Sequence, residues 1–341
     1  KKPRLMLINY SMSENNTIFT HQLEVALRLS PSYFQIVVLS NELPSGKLPE
    51  NIIVFPTRWI NGLKLLSAVR FLRISTWVLF KYRPDVIFCH MTEVQNLIIA
   101  PLARLFRFPI YLWYAHMSLS PYLRLAYLIS NAIITSTKYS CPLKGHKVIE
   151  IGQAIDSAYF TGPDFCGPIR RLIHLGRFDE SKNISLLIEI VSKVRIEHPE
   201  LTLEIVGTPS NSKNQDYANL IIRKYQQEEW LSFQPSIPRS QVPQKLIGSD
   251  CFIHAYEGSL DKILIEATFM RKPVVTRNLG YLEEFGTWSN SFSSNLELEL
   301  KSLLKWSNQE ISYEVNRRHK IAIENHDLSS WVEKLNSILI P

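Results

Sequence analysis

Short apolar runs separated by longer amphipathic stretches recur along the chain. Leu5 to Asn9, Gln35 to Leu39, Ile52 to Phe55, Asp85 to Cys89, Ile110 to Tyr114, Ala132 to Thr135 and Val148 to Ile151 are brief and mostly aliphatic. That is the pattern of strands buried on both faces. Thr17 to Leu29, Gly62 to Tyr82 and Val94 to Phe106 carry helical spacing between them. A Gly- and Pro-containing break, Thr161 to Pro168, interrupts the alternation. It restarts with strands expected at Arg171 to Leu175, Thr202 to Val206, Cys251 to Ala255 and Pro273 to Thr276. Strands alternating with helices predict parallel sheets, and two such runs predict an α/β protein of two Rossmann-like domains. The expected division is 1–160, 161–320 and a last helix, 321–341, returning to the N-terminal domain. Ligands of such sheets bind beyond the carboxyl ends of the strands, here expected in the cleft between two facing sheets.

Composition narrows the field. A chain of 341 residues suits two domains, and 45% hydrophobic with 20% charged residues excludes disorder over most of it. No apolar run reaches the roughly 18 to 20 residues of a membrane-spanning helix. Lys1 to Arg4 leads straight into a strand-like run without a signal-peptide pattern, and a first residue other than Met leaves room for an upstream segment. Cys89, Cys141, Cys166 and Cys251 show no CxxC spacing, which suits a reducing cytosol rather than a metal knuckle. Charge is divided unevenly. Up to Phe165 there are 17 Lys and Arg against 9 Asp and Glu; beyond it, 21 against 22. Between Glu50 and Asp85 no acid occurs, yet Arg58, Lys64, Arg70, Arg73, Lys81 and Arg83 do. A one-sided basic surface implies an anionic partner, nucleic acid or membrane. On a helix Arg70, Arg73 and Lys81 fall within an arc of about 80°, leaving a broad apolar face that suits either an anionic membrane surface or packing on the protein's own sheet. No nucleic-acid motif accompanies the charge, so that partner is not expected.

The familiar nucleotide signatures are missing: no GxGxxG, no Walker A loop, no GxSxG elbow and no Asp-x-Asp pair for a metal-diphosphate clamp. Two segments offer other anion-binding groups. In His174-Leu175-Gly176-Arg177-Phe178-Asp179-Glu180-Ser181-Lys182-Asn183, Arg177 and Lys182 lie on the loop after a strand. Two cations there suit a diphosphate, and equally suit a solvated surface loop. In Tyr256 to Ala267, Gly258 and Ser259 form a turn and N-cap, Leu260 onward reads as a helix, and its first amides form an anion site. Glu266, about two turns in, suits a ribose diol or an ordinary helix carboxylate.

These residues resemble the GT-B glycosyltransferases of family 4, the retaining enzymes that use nucleotide sugars. GRFDESKNISLLIEIV is similar to that family's G-R-x-x-x-x-K-(G/N)-x-x-x-L-I block, LTLEIVG to its central strand, and SDCFIHAYEGSLDKILIEATFMRKPVV to its E-x7-E block followed by G-x-P-V-V. IGQAIDSAYF resembles its N-G-(V/I)-D-x-x-x-F linker, and LWYAHM places His116 at its N-domain histidine. The resemblance implies a GT-B fold with a donor site comprising Gly176, Arg177, Lys182, Gly258, Ser259, Leu260, Asp261, Lys262 and Glu266. Within it Arg177 and Lys182 would bind the diphosphate, the amides of Leu260, Asp261 and Lys262 its distal phosphate, and Glu266 the ribose. His116 would contact the transferred sugar, and His116, Arg177 and Lys182 would be the catalytic groups.

The sequence departs from the family in the linker, where Gln153 and Ala154 replace Asn-Gly, and in two further places. Eight residues, not seven, separate Glu257 from Glu266, so the first glutamate's place falls on Gly258, and Glu257 or Asp261 is the replacement expected to reach the sugar. The Gly-rich first loop is replaced by SMSENNTIFT, whose Ser13, Glu14, Asn15 and Asn16 are acceptor candidates. The resemblance implies a metal-independent hexosyltransferase with no cofactor, using a UDP- or GDP-sugar and a glycan or lipid-linked acceptor in bacterial surface polysaccharide or glycolipid synthesis. It would sit peripherally on the cytoplasmic face of the membrane. The rival readings are a non-catalytic GT-B-like scaffold subunit and a nucleotide-sugar epimerase or phosphorylase of the same architecture.

Overall fold

The computed structural model describes residues 2–14, 20–60, 62–292 and 294–340. The chain forms two compact units, Lys1–Ala154 with His326–Pro341, and Ile155–Asn325.

The strands of the first unit are β1 (Arg4–Ile8), β2 (Gln35–Ser40), β3 (Ile52–Pro56), β4 (Val86–His90), β5 (Ile110–Trp113), β6 (Ala132–Thr135) and β7 (Val148–Glu150). All pair in parallel, in the order β3-β2-β1-β4-β5-β6-β7. Its helices are α1 (Thr20–Leu29), α2 (Lys64–Tyr82), α3 (Glu93–Leu105) and α4 (Pro121–Ile129). Alternate residues of each strand face opposite layers. Leu5, Leu7, Ile36, Val38 and Phe88 meet α1 and the chain's final helix, whose Trp331 and Leu335 are buried there. Met6, Ile8, Val37, Ile87 and Cys89 meet Phe71, Val78 and Leu79 of α2, Ile99 of α3 and Leu123 of α4. Both faces are therefore apolar, which is why these strands read as continuous aliphatic runs. All seven stand where the apolar runs predict, their ends shifted by at most one residue.

The second unit carries β8 (Arg171–Leu175), β9 (Thr202–Val206), β10 (Leu231–Gln234), β11 (Cys251–His254) and β12 (Val274–Thr276), parallel in the order β10-β9-β8-β11-β12. Its helices are α5 (Ile184–Val194), α6 (Ser212–Tyr225), α7 (Val242–Ile247), α8 (Lys262–Phe269), α9 (Leu279–Phe285), α10 (Leu296–Leu303) and α11 (Asn308–His326); α12 (Leu328–Leu339) is the final helix of the first unit. Strand β10 has no counterpart among the sequence expectations. It is a sheet edge, and of its four residues only Leu231 is buried, so its pattern is too polar to read as a buried strand.

At the carboxyl end of this sheet two loops come into contact through glycines. The loop after β8 begins with Gly176, whose amide donates to Val206 (3.1 Å), and Phe178 N donates to Thr208 O (3.1 Å). A methyl group added at Gly207 would overlap the Gly176 carbonyl oxygen. Gly207→Ala is therefore expected to lower stability by about 1–3 kcal/mol, the usual range for overpacking, read as a lower urea midpoint at unchanged m-value.

Candidate functional site

Adjacent parallel strands β8, β11 and β12 carry His174, His254 and Thr276 near their carboxyl ends, with His254 and Thr276 paired in register and His174 one step behind, level with Ile253. Both histidines are buried, and their rings stack at 5.6 Å. His174 Nδ1 lies 3.1 Å from the Ile253 carbonyl. A carbonyl oxygen only accepts, so the proton is on Nδ1. His174 Nε2 has no partner among the described residues and faces Gly176, where an added Cβ would stand 3.1 Å away. His254 Nε2 donates to Asp261 Oδ2 (3.0 Å), and its Nδ1 is 3.5 Å from Thr276 Oγ1. Burial lowers the pKa of both, pushing His174 down to about 3, so both imidazoles are neutral at pH 7.

Asp261 is the meeting point of the cluster. Its Oδ2 accepts from His254 and also from Lys182 Nζ. Burial raises its pKa, but the His254 hydrogen bond and the Lys182 charge outweigh that and hold the carboxyl well below the usual carboxylate range. Lys182 closes a short 3-10 turn, Glu180–Lys182, and is itself buried. Its ammonium sits 3.8 Å from the centre of the Tyr256 ring, a cation–π contact. Arg177 is different: its side chain is 58% exposed and pairs with Asp179 at 3.2 Å. Asp179 is buried and accepts from Ser210 N (2.9 Å), which fixes the next loop as well. The two expected cations thus stand on the same loop, each already matched by an aspartate.

Helix α8 begins at Lys262, not Leu260, and Asp261 rather than Ser259 occupies its N-cap position. The reason is the Asp261 side chain, which is turned to Lys182 and His254 and makes no cap bond of its own. Of the three amides expected to face a phosphate, only that of Lys262 belongs to the helix; Leu260 lies in the preceding loop. Buried Asn278 holds that loop, its Nδ2 donating to Gly258 O (2.9 Å) and Ser259 O (3.3 Å) while its Oδ1 caps α9. Glu266 lies in the second turn of α8, buried, and accepts from Arg239 (2.9 Å), whose guanidinium stacks over Phe160. Glu257 is ion-paired with Arg277. Gly258, at the place of the family's first glutamate, packs so closely on the Tyr256 ring that an added Cβ would overlap it.

In the first unit, His116 is exposed after β5, and its Nδ1 accepts from Ser118 N (3.0 Å), leaving the proton on Nε2. Glu14 is exposed, and its carboxylate takes the amides of Ser45 (2.9 Å) and Gly46 (3.0 Å), which lower its pKa. Asn15 and Asn16 lie outside the described residues. Among the described residues no three His, Cys, Asp or Glu side chains come together at metal-binding spacing. His254, Tyr256, Arg239 and Asn278 were not singled out from sequence. His254 and Tyr256 had a usable signal, a strand-end polar residue and an aromatic immediately before the glycine turn; Arg239 and Asn278 had none.

Residues 169–287, about a third of the chain and all in the second unit, match the family model described as Glycosyl transferases group 1. No curated protein matches the chain by sequence. Among solved structures, it is similar to Anabaena Alr3699/HepE in complex with UDP and glucose (16% identity, 99% of each chain covered, TM-score 0.72). It is also similar to a glycosyltransferase from Rickettsia africae ESF-5 (13%, 99% of this chain and 98% of that one, TM-score 0.78). A third likeness is to the apo form of the lipopolysaccharide outer core galactosyltransferase WaaB (13%, 98% and 99%, TM-score 0.69). At these identities the likeness is one of fold, the GT-B architecture of two parallel α/β units.

The buried neutral imidazole gives a pH test. Unfolded, His174 takes a proton near pH 6.5; folded, it resists protonation until about pH 3. The unfolded state therefore binds more protons between these values, and stability falls as pH drops through that window. Between pH 7 and 5 the wild type is expected to lose about 1–2 kcal/mol more than His174→Gln, from urea unfolding at each pH.

Proposed function

We propose that this protein is a retaining glycosyltransferase that moves a sugar from a UDP- or GDP-sugar to a glycan or lipid-linked acceptor in bacterial surface polysaccharide or glycolipid synthesis. The observation that carries the reading is the cluster at the carboxyl ends of β8 and β11, where Arg177, Lys182 and the N-terminus of α8 surround one loop system. The match of residues 169–287 to the group 1 model supports it, as does UDP bound in a protein of the same fold. In this reading Lys182, Arg177 and the first-turn amides of α8 take up the charge that develops on the leaving diphosphate, where a divalent ion acts in other enzymes. Glu266, oriented by Arg239, accepts from the ribose hydroxyls. His116 donates through Nε2 to the transferred sugar. No side chain is needed as a nucleophile if the leaving phosphate takes the acceptor proton on the same face, which retains the anomeric configuration.

The same reading places the acceptor at an anionic membrane surface on the cytoplasmic side. Helices α2, α3 and α4 bury one face on the first sheet, yet the layer they form also exposes Leu65, Val69, Phe80, Leu105, Leu125 and Leu128, with Leu65 81% exposed. Monomeric proteins rarely expose so much apolar surface in one layer. Over residues 57–149 twelve Lys and Arg stand against two acids, Asp85 and Glu93, so the layer suits anionic lipid better than a neutral protein face. No described helix is long and apolar enough to cross a membrane. Co-sedimentation with phosphatidylglycerol vesicles, reduced severalfold in a Leu65→Glu, Leu128→Glu variant and by high salt, is the expected result; equal binding of wild type and variant would remove this part of the reading.

The ion pair between Glu257 and Arg277 and the glycine at position 258 favour the rival, a non-catalytic binding subunit. A thermal-shift panel of UDP, GDP, ADP and their sugar conjugates, with and without Mg²⁺, separates the two. Stabilisation by one diphosphate, independent of Mg²⁺ and lost in Lys182→Ala, is expected of the transferase. No shift with any nucleotide would point to the scaffold.

A further inference from the structure

Resting on the donor site just proposed, the geometry points to a role for Asp261 that the family resemblance does not supply. We propose that Asp261 is a positioning residue that competes with the donor diphosphate for Lys182, holding the ammonium in place when the site is empty and yielding it when the diphosphate arrives. Three observations carry this.

First, Lys182 has an anion already. Its ammonium is buried, and Asp261 Oδ2 is the acceptor it meets. A diphosphate oxygen that reaches Nζ competes with that carboxylate for the same buried positive charge.

Second, Asp261 is anchored on its far side. His254 Nε2 donates to the same oxygen, and His254 is itself set between Thr276 Oγ1 and the stacked His174 ring. The carboxylate keeps a partner when Lys182 leaves it. Tyr256 keeps its ring face on the ammonium through the exchange.

Third, Asp261 stands at the N-cap of α8 without capping it. An aspartate there would ordinarily accept from the helix amides. Turned away, it spends its charge on Lys182. The exchange therefore selects ligands rich in negative charge and helps the diphosphate product to leave, since Asp261 takes Lys182 back.

The test is isothermal titration of UDP, GDP and inorganic pyrophosphate into wild type, Asp261→Asn and Asp261→Asn, Lys182→Ala, with thermal melts to establish folding. A carboxylate beside a cation shifts its partner's equilibrium by about one to three decades. Asp261→Asn is thus expected to bind the favoured nucleoside diphosphate at least about tenfold more tightly, with the gain lost in the double variant. Turnover is expected to split from affinity, with a lower KM for donor and a kcat limited by slower product release. A merely structural Asp261 would give weaker binding and a lower melting temperature instead. Unchanged or weaker anion binding by folded Asp261→Asn overturns the proposal. If Asp261→Asn does not fold, Asp261→Ser removes the same charge with a smaller side chain and is read in the same way. Should no nucleotide bind either protein while pyrophosphate binds Asp261→Asn more tightly through Lys182, the competition stands and the nucleotide-sugar reading falls. If pyrophosphate binding is also unchanged, the competition falls.

Discussion

An ammonium group taken out of water must be met by an anion, and the second unit of this protein is arranged around one such meeting. Lys182 is buried at the end of a short turn, and Asp261 answers it from the start of α8. Much else follows from that pair. His254 must stay neutral to donate to Asp261 without adding a second positive charge, and burial keeps it so. Tyr256 must turn its ring to the ammonium, so residue 258 can have no side chain. The loop between them is then held by a buried side chain, Asn278.

Electrostatic strength is unevenly shared across the site. The Arg177–Asp179 pair is half open to solvent on the arginine side, where high dielectric and side-chain freedom leave such pairs worth about 0–1 kcal/mol. Lys182 and Asp261 are less hydrated, so each would be costly to leave alone. Arg177 can therefore reorient toward a ligand with little penalty, whereas Lys182 moves only when a comparable anion arrives. The two cations share one loop but belong to different regimes, one mobile and weakly held, the other fixed.

The fold was legible because its information is local. Strands β1, β2, β4, β5 and β6 of the first sheet are almost wholly buried, and continuous apolar runs such as Ile36 to Leu39 and Ile87 to Cys89 announce it. Strand β10 escaped because an edge strand needs apolar residues at few positions, and Leu231 is its one buried residue. The candidate site was half legible. Lys182, Asp261 and Glu266 stood out within the blocks that carry the resemblance, but Arg239 did not, and neither did the pairing of Asp261 with Lys182. Asp261 lies 79 residues from Lys182 and Arg239 lies 27 from Glu266, so nothing short of the fold could pair them. The start of α8 was misread for a related reason: a glycine–serine turn is a sound local signal for a cap, and a tertiary ion pair overrode it.

The division of the chain has a consequence for how the protein comes into being. The second unit is one uninterrupted stretch, Ile155–Asn325, whereas the first is made of Lys1–Ala154 and His326–Pro341. Trp331 and Leu335 of α12 fill the layer that covers Leu5, Leu7 and Val38, and Trp331 meets Trp113 edge to face at 5.2 Å. Those aliphatic strand faces wait covered by α1 but not by α12 through the synthesis of roughly 170 further residues, during which the second unit has all its own parts to hand. The unit made first on the ribosome is thus the one completed last, and its partly covered sheet is the surface most in need of a chaperone while the rest of the chain is still being made.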